Sequence, residues 1–221
     1  MEKKVIHGVV FDMDGLMFDS ERVVKYSWDV AGERMGYGPL GDNIFHTLGF
    51  NVDKRKSYFQ EKYGKTFSFD TFRDEYRKAF REYEKEHGIP AKKGLHELID
   101  LLKRAGIPMA VATSSSHEYA MSSLDGEGIS DCFSAIITGG MVKEAKPSPE
   151  IYLKACQAIG VKPARAVALE DSYNGIRSAH SAGMITIMVP DLLKDSSPVD
   201  DMLDGKMESL SEVARWISRM I

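Results

Sequence analysis

The run Phe11-Asp12-Met13-Asp14-Gly15 sets two carboxylates two residues apart, directly after a short apolar stretch. If that stretch is a buried strand of an open α/β sheet, both acids stand at its carboxyl end, where such sheets bind their ligands. An Asp-rich turn closed by Gly15 and a calcium loop would use the same letters. The calcium loop fails: an EF-hand needs a third ligand, sets its glycine at the sixth position and has no buried strand ahead of it. Three more features share the pattern of polar groups at the end of an apolar run. Val111-Ala112-Thr113-Ser114 ends in small hydroxyl residues suited to an anionic oxygen. The run Ser114–Ser116 also reads as a helix cap, and a helix N-terminus offers free N–H groups to phosphate. Lys146 precedes Pro147, which biases its backbone to an extended form, although a lone lysine is ordinarily solvated and Lys143 competes with it. Glu170-Asp171 follows Ala166–Leu169, although neighbouring acids ordinarily face solvent.

The elements that must position these groups follow from periodicity. The runs Val5–Phe11, Pro108–Ala112, Ala135–Thr138, Ala166–Leu169 and Thr186–Val189 are short and apolar on both faces, as in strands buried in a parallel sheet. Between them, Leu95, Leu98, Ile99 and Leu102 recur at three and four, and Gly106 stands where that helix would end. Ser148-Pro149-Glu150 reads as an N-cap with proline at the first helical position, leading into Ile151–Ile159. Strand and helix alternate from residue 94 onward, the pattern of a doubly wound, mostly parallel α/β sheet. Residues from about 20 to 87 read instead as helix, with Phe69, Phe72, Tyr76, Phe80 and Tyr83 in one stripe that serves as core. The expected organisation is an α/β core of residues 1–17 and 91–221, interrupted after its first strand by a helical insert of residues 18–90. Gly15, Gly88 and Gly94 lie near the two connections. An acidic stretch from Asp195 to Asp204 reads as a surface loop before a closing helix at Leu210–Ile221.

Composition narrows the function. The chain has 221 residues, 43% hydrophobic and 28% charged, which suits one sizeable core with a smaller lobe. A net charge of −4 without a basic run argues against nucleic acid as the partner. Any anionic substrate must then be held by a few local cations. The two cysteines, Cys132 and Cys156, lack metal-ligand spacing and suit reduced thiols in a reducing compartment. Asp12 and Asp14 interrupt the first apolar run too early for a signal peptide. No run approaches the ~18 apolar residues that span a membrane. The expectation is a cytoplasmic protein, monomeric by default.

In combination, Asp12-Met13-Asp14-Gly15-Leu16, Thr113, Lys146-Pro147 and Glu170-Asp171-Ser172 with Asn174-Gly175 resemble the haloacid dehalogenase-like hydrolase superfamily. The resemblance runs from Val5 to about Asp191, and the insert resembles that superfamily's small helical cap on a Rossmann-like core. It is most similar to the branch of small sugar-phosphate phosphatases, pseudouridine-5′-phosphatase and β-phosphoglucomutase. The resemblance implies that Asp12 attacks phosphorus to form an aspartyl-phosphate, while Asp14 gives a proton to the leaving oxygen and later takes one from water. It implies Mg²⁺ held by Asp12, the Asp14 carbonyl and Asp171, with Glu170 in or near the shell. Thr113, the Ser114 amide and Lys146 would hold the phosphoryl oxygens. Asn174 would order the loop around Asp171, and the cap would close over the substrate.

Within the superfamily, a dehalogenase is disfavoured because Asp14 is present. A phosphonatase would need a cap lysine, and nothing marks Lys25, Lys54 or Lys56. A β-phosphoglucomutase would carry a histidine where Val24 stands and an arginine where Val52 stands, with Arg55 only nearby. The expected function is therefore a magnesium-dependent phosphatase of a small phosphorylated metabolite, a sugar phosphate or nucleotide monophosphate. The mutase is the alternative within the fold, and a binding or regulatory module without turnover is the alternative of another class. The cap segment His46-Thr47-Leu48-Gly49-Phe50-Asn51 reads either as a turn between helices or as the loop that recognises the leaving group through Phe50 and Asn51.

Overall fold

Gly8–Phe11 form the first strand, β1, and none of its four residues reaches solvent. Val-Val-Phe suits a strand covered on both faces, where β-branched and aromatic side chains pack well. The computed structural model describes residues 6–47, 50 and 52–221. Two compact units emerge, one of residues up to Asp19 together with Pro90–Ile221, the other Ser20–Ile89. The second contains α1 (Ser20–Arg34), α2 (Ile44–Thr47), α3 (Val52–Tyr63) and α4 (Phe69–His87). The first continues with α5 (Leu95–Arg104), β2 (Met109–Thr113), α6 (His117–Gly126), β3 (Ala135–Thr138) and α7 (Glu150–Ala158). It closes with β4 (Ala166–Glu170), α8 (Tyr173–Ser181), β5 (Ile185–Met188), β6 (Gly205–Lys206) and α9 (Leu210–Ile217).

All strand pairs are parallel, in the order β3-β2-β1-β4-β5-β6. The chain steps outward from β1 to β3, then returns to lay β4 on the other side of β1. That reversal opens a crevice beyond the carboxyl ends of β1 and β4, the usual ligand position in a doubly wound sheet. Phe11 lies beside both Val111 and Leu169, so Asp12 emerges at the level of Ala112 and Glu170.

Alternation along the strands divides the core. Val10, Ala110, Ala112 and Ala168 pack with Ile151, Tyr152, Ala155 and Cys156 of α7 and Ala179 of α8. Val9, Phe11 and Val111 point to the opposite face, where Phe11 meets Phe133 edge-on at 5.7 Å. Leu95, Leu98, Ile99 and Leu102 of α5 are all buried, as their spacing predicts, and each stabilises the fold by about 1.5–3 kcal/mol. Gly106, at φ +66°, ends that helix.

In the Ser20–Ile89 unit α1 packs along α4. Trp28 of α1 stands edge-on to Phe59 and Phe72 at 5.5 and 5.6 Å. Of the predicted aromatic stripe Phe69 and Phe72 are core, whereas Tyr76, Phe80 and Tyr83 are only half-buried toward the end of α4. Ser68 caps α4, and Gly88 ends it.

Several expected elements differ in extent. Pro108 stays outside β2, because it has no N–H for the ladder, and gives only its carbonyl to Val9. Pro149, one residue beyond Ser148, is the N-cap of α7, since the first helical bond runs from Leu153 N–H to Pro149 O, while Ser148 Oγ accepts from Glu150 N–H at 3.4 Å. The closing helix stops at Ile217 rather than Ile221, where the buried stripe of α9 runs out. The two residues of β6 carry no apolar run, and the sequence reading placed them inside no element. Among the described residues, no helix is long and apolar enough to cross a membrane.

Candidate active site

Asp12 leaves β1 still in sheet register, its N–H donating to Leu169 O at 2.9 Å. Its carboxylate meets Lys146, which enters from the loop ahead of α7. Lys146 Nζ donates to Asp12 Oδ1 at 2.5 Å, Glu170 Oε1 at 2.6 Å and Ala112 O at 2.9 Å. An ammonium has three protons, and these acceptors use all three. The Lys146 side chain is 6% exposed and that of Glu170 is wholly buried, so a single buried cation bridges two carboxylates from neighbouring strands.

Glu170 uses both oxygens. Oε1 accepts from Lys146 and from the Tyr152 hydroxyl at 2.7 Å. Oε2 accepts from the Asp171 and Ser172 N–H groups, each at 3.2 Å, and from Ser172 Oγ at 3.0 Å. Ser172 Oγ in turn caps α8 by accepting from Gly175 N–H. A side chain at position 175 would run into the Glu170 carboxylate, which is why glycine stands there. The loop after β4 is thus ordered by Glu170 and Ser172. Asn174, expected to do this, stands exposed on the first turn of α8.

Oxygens of Asp12, Glu170 and Asp171 all lie within 4.8 Å of one another. Gly15, at φ +80°, brings its backbone so close to Asp171 that a Cβ there would collide with Asp171 Oδ2. A cradle of hard carboxylate oxygens of this size fits a small divalent cation such as Mg²⁺. Both Glu170 oxygens are already taken by Lys146, Tyr152 and the loop after β4, which ties Glu170 to the protein on both sides.

The Asp14 side chain turns away from this triad. Ser115 Oγ donates to its Oδ2 at 2.6 Å and the Tyr119 hydroxyl to its Oδ1 at 3.2 Å. Ser115 lies just ahead of α6 and Tyr119 on its first turn, with Ser116 as the cap between them. Thr113, fully buried at the end of β2, accepts from Ser115 N–H at 3.0 Å, leaving its own hydroxyl proton to donate elsewhere. Ser114 is exposed beside it. Phe50 belongs to the Ser20–Ile89 unit, where the Lys54 ammonium lies 4.0 Å from its ring centroid. Asn51 lies outside the described residues.

Charge in the cluster is unbalanced, and the protonation equilibria respond. Burial, then the charge of Glu170, pushes the Asp12 carboxyl up to about 8 against the opposing pull of Lys146. Burial alone would lower the Lys146 ammonium, but the charges of Asp12 and Glu170 outweigh it and hold it above its ordinary value. The Tyr152 hydroxyl is likewise held well above its usual range by burial and by Glu170. The two shifts have one physical sense: the lysine stays charged, and two carboxylates sharing one ammonium leave a negative charge that a proton or a cation must meet.

Asp12, Thr113, Glu170 and Asp171 therefore stand at the carboxyl ends of β1, β2 and β4, and Lys146 joins them from the loop ahead of α7. Sequence reasoning missed Tyr152, Ser115 and Tyr119. Tyr152 lies in an apolar helical run and reads as core; Ser115 read only as part of a cap. Tyr119, three residues after the Ser116 cap, lies on the first turn of α6 and carried no signal of its own.

A family model described as haloacid dehalogenase-like hydrolase matches residues 9–189. The Bacillus subtilis protein YhcW, provisionally named a phosphatase, is 30% identical over 214 residues, covering 95% of this chain and 94% of that one. Hexitol phosphatase B of Escherichia coli K12 is 29% identical over 216 residues, with 94% of each chain covered. The crystal structure of CbbY from Rhodobacter sphaeroides in complex with phosphate superposes with a TM-score of 0.74 at 28% identity, over 94% of this chain and 96% of that one.

Proposed function

The chain belongs to the haloacid dehalogenase-like hydrolase family, and from that premise we propose that it is a phosphatase of small phosphorylated metabolites, working through an aspartyl-phosphate on Asp12. The observation that carries this reading is the placement of two acids with different surroundings. Asp12 is clamped by Lys146 at the crevice of the sheet, and Asp14 is held apart by two hydroxyl groups. One suits a nucleophile, the other a proton carrier.

An oxygen of Asp12 attacks phosphorus, and the bond from phosphorus to the leaving oxygen breaks. Asp14 gives its proton to that oxygen. Water then attacks the same phosphorus and returns a proton to Asp14, freeing phosphate and the Asp12 carboxylate. Ser115 and Tyr119 fix the direction of the Asp14 carboxyl throughout. The Thr113 hydroxyl is placed to donate to a phosphoryl oxygen, and Lys146, its protons already shared among Asp12, Glu170 and Ala112, supplies positive charge beside oxygens that gather negative charge in the transition state. Asp12, Asp171 and the Asp14 carbonyl would hold Mg²⁺, with Glu170 supporting Lys146 and the loop. When bound, the cation supplies positive charge opposite the transferring phosphoryl group.

Phosphatase relatives support hydrolysis, and valines, Val24 and Val52, stand where a phosphoglucomutase would carry a histidine and an arginine. Arg55 has its guanidinium over the Trp28 ring at 5.4 Å, a packing role within the insert. Recognition of the leaving group we assign to Phe50 and Asn51, among sugar phosphates, polyol phosphates and nucleotide monophosphates. Both cysteines are unpaired, which supports a reducing compartment such as the cytoplasm. The test is a phosphate-release screen over such compounds with Mg²⁺, using the wild-type chain and Asp12→Asn. Release that vanishes in the variant is expected; release that persists removes Asp12 from its role. Glucose-6-phosphate formed from β-glucose-1-phosphate with a bisphosphate activator, without phosphate release, would make the chain a mutase.

A further inference from the structure

Beyond the strand-end triad, a fourth carboxylate approaches the same cradle. Asp191 follows β5 after Val189 and Pro190, and its loop is hooked to the end of β4 because Val189 N–H donates to Glu170 O at 2.7 Å. The Asp191 side chain is only 4% exposed. Its Oδ1 accepts from Lys92 Nζ at 2.5 Å, while its Oδ2 is buried with no hydrogen-bond partner. That oxygen lies near Gly15: a Cβ on the glycine would stand 3.5 Å from Asp191 Oδ2 and would collide with Asp171 Oδ2. The missing side chain of Gly15 thus leaves a gap walled by two carboxylates.

Lys92 is held in place independently. Its N–H donates to Met17 O at 2.8 Å, and its ammonium also pairs with Asp19 at 3.9 Å. One carboxylate oxygen of Asp191 is therefore held by Lys92, and the other is buried beside Gly15 without a donor. Burying an unsatisfied polar oxygen costs about 1–3 kcal/mol, and more when the group is charged. A donor inside the cradle would offset that cost. The cation expected there brings such donors, since Mg²⁺ keeps several of its waters when it binds to protein carboxylates.

We propose that Asp191, oriented by Lys92, is a positioning residue of the cation site, its Oδ2 accepting a hydrogen bond from a water on the divalent cation held by Asp12 and Asp171. This inference rests on the proposed function above, and it adds a residue that neither the catalytic motifs nor the strand-end triad contains. Asp191 supports the cation from outside its ligand shell, as hydrogen-bonded partners of metal ligands do elsewhere.

The test is calorimetric titration of Mg²⁺ into the metal-free full-length chain, as wild type, Asp191→Asn, Asp191→Ser and Asp171→Asn. Loss of an outer partner typically weakens metal binding ten- to a hundredfold, so a rise of about that size in Kd is expected for both Asp191 variants. Melting of the metal-free proteins reports their folding separately. Wild-type Mg²⁺ affinity in either folded Asp191 variant overturns the proposal. Failure of both to fold also overturns it, by assigning the Lys92–Asp191 pair to structure alone. If the wild type binds no Mg²⁺, or Asp171→Asn binds it normally, what fails is the reading of the cation site itself.

Discussion

Replacing Lys146 by methionine removes the one positive charge between Asp12 and Glu170. All three side chains are nearly buried, at 6%, 11% and 0% exposure, so water cannot take over the role of the lysine. Removing one member of a buried ion pair typically costs about 3–5 kcal/mol, because a charge is left behind without compensation. For a chain of this size that corresponds to a fall in Tm of roughly 6–20 °C. The loss should also depend on pH. In the wild type Asp12 keeps its proton up to about 8, because burial and Glu170 raise it while Lys146 lowers it. Without Lys146 the carboxyl rises further, so the folded variant holds a proton that the folded wild type gives up. Stability falls with pH wherever the folded state binds the extra proton, so the deficit of the variant widens as pH passes upward through about 8. Urea unfolding of the metal-free proteins at pH 6 and pH 9 measures both effects. Equal stability of Lys146→Met and wild type at pH 9 would refute the claim that this lysine neutralises the cluster.

The same shift predicts that Mg²⁺ binding expels the Asp12 proton. The raised value implies apparent affinity climbing by up to about tenfold per pH unit and levelling above about 8; calorimetry in buffers of different ionisation enthalpy counts the proton, and an affinity flat from pH 6 to 9 would contradict it. Asp14→Asn should lower kcat by about 10²–10⁴ on an alkyl phosphate and far less on an aryl phosphate whose leaving group needs no proton. Equal losses on the two substrates would remove Asp14 from proton transfer. Tyr152→Phe deletes a hydrogen bond to the buried Glu170 carboxylate and should destabilise the fold by about 1.5–3 kcal/mol, read by urea unfolding. An unchanged midpoint would show that the Tyr152 hydroxyl does not support the cluster.

Much of this site was legible because parallel sheets oblige strand ends to converge. Once Val5–Phe11, Pro108–Ala112 and Ala166–Leu169 read as buried strands, Asp12, Thr113 and Glu170-Asp171 had to share one edge. Lys146 was harder to place, since nothing in its neighbours shows that its ammonium crosses to Ala112 O and two acids. Tyr152 was out of reach for a physical reason. Its ring packs in the core with Ile151 and Ala155, so its spacing carries the core signal, and only its hydroxyl reaches Glu170. The Lys92–Asp191 pair joins positions 99 residues apart, a separation no local pattern encodes. Asn174, which the family pattern puts at this loop, stands exposed, and the hydrogen bonds seen there run through Glu170 and Ser172, whose geometry no local pattern encodes.

Charge arithmetic at the crevice carries one more consequence. With Asp12 ionised, as attack on phosphorus requires, the three carboxylates of the triad and the single Lys146 ammonium leave two negative charges. A phosphate dianion approaching that cluster would meet repulsion that no broad field offsets, because the whole chain is itself negative, at −4. A divalent cation brings the cluster to neutrality and gives the phosphate a positive face. Cation binding should therefore precede phosphate binding, and the two should be strongly coupled. Coupling of the usual 1–3 kcal/mol corresponds to roughly 5–150-fold in phosphate affinity, and reciprocity demands the same factor for Mg²⁺ when phosphate is present. Titrating phosphate with and without Mg²⁺, and Mg²⁺ with and without phosphate, measures both arms. Phosphate affinity that is indifferent to Mg²⁺ would mean that Lys146 and Thr113 suffice, and that the cluster holds its excess charge away from the substrate.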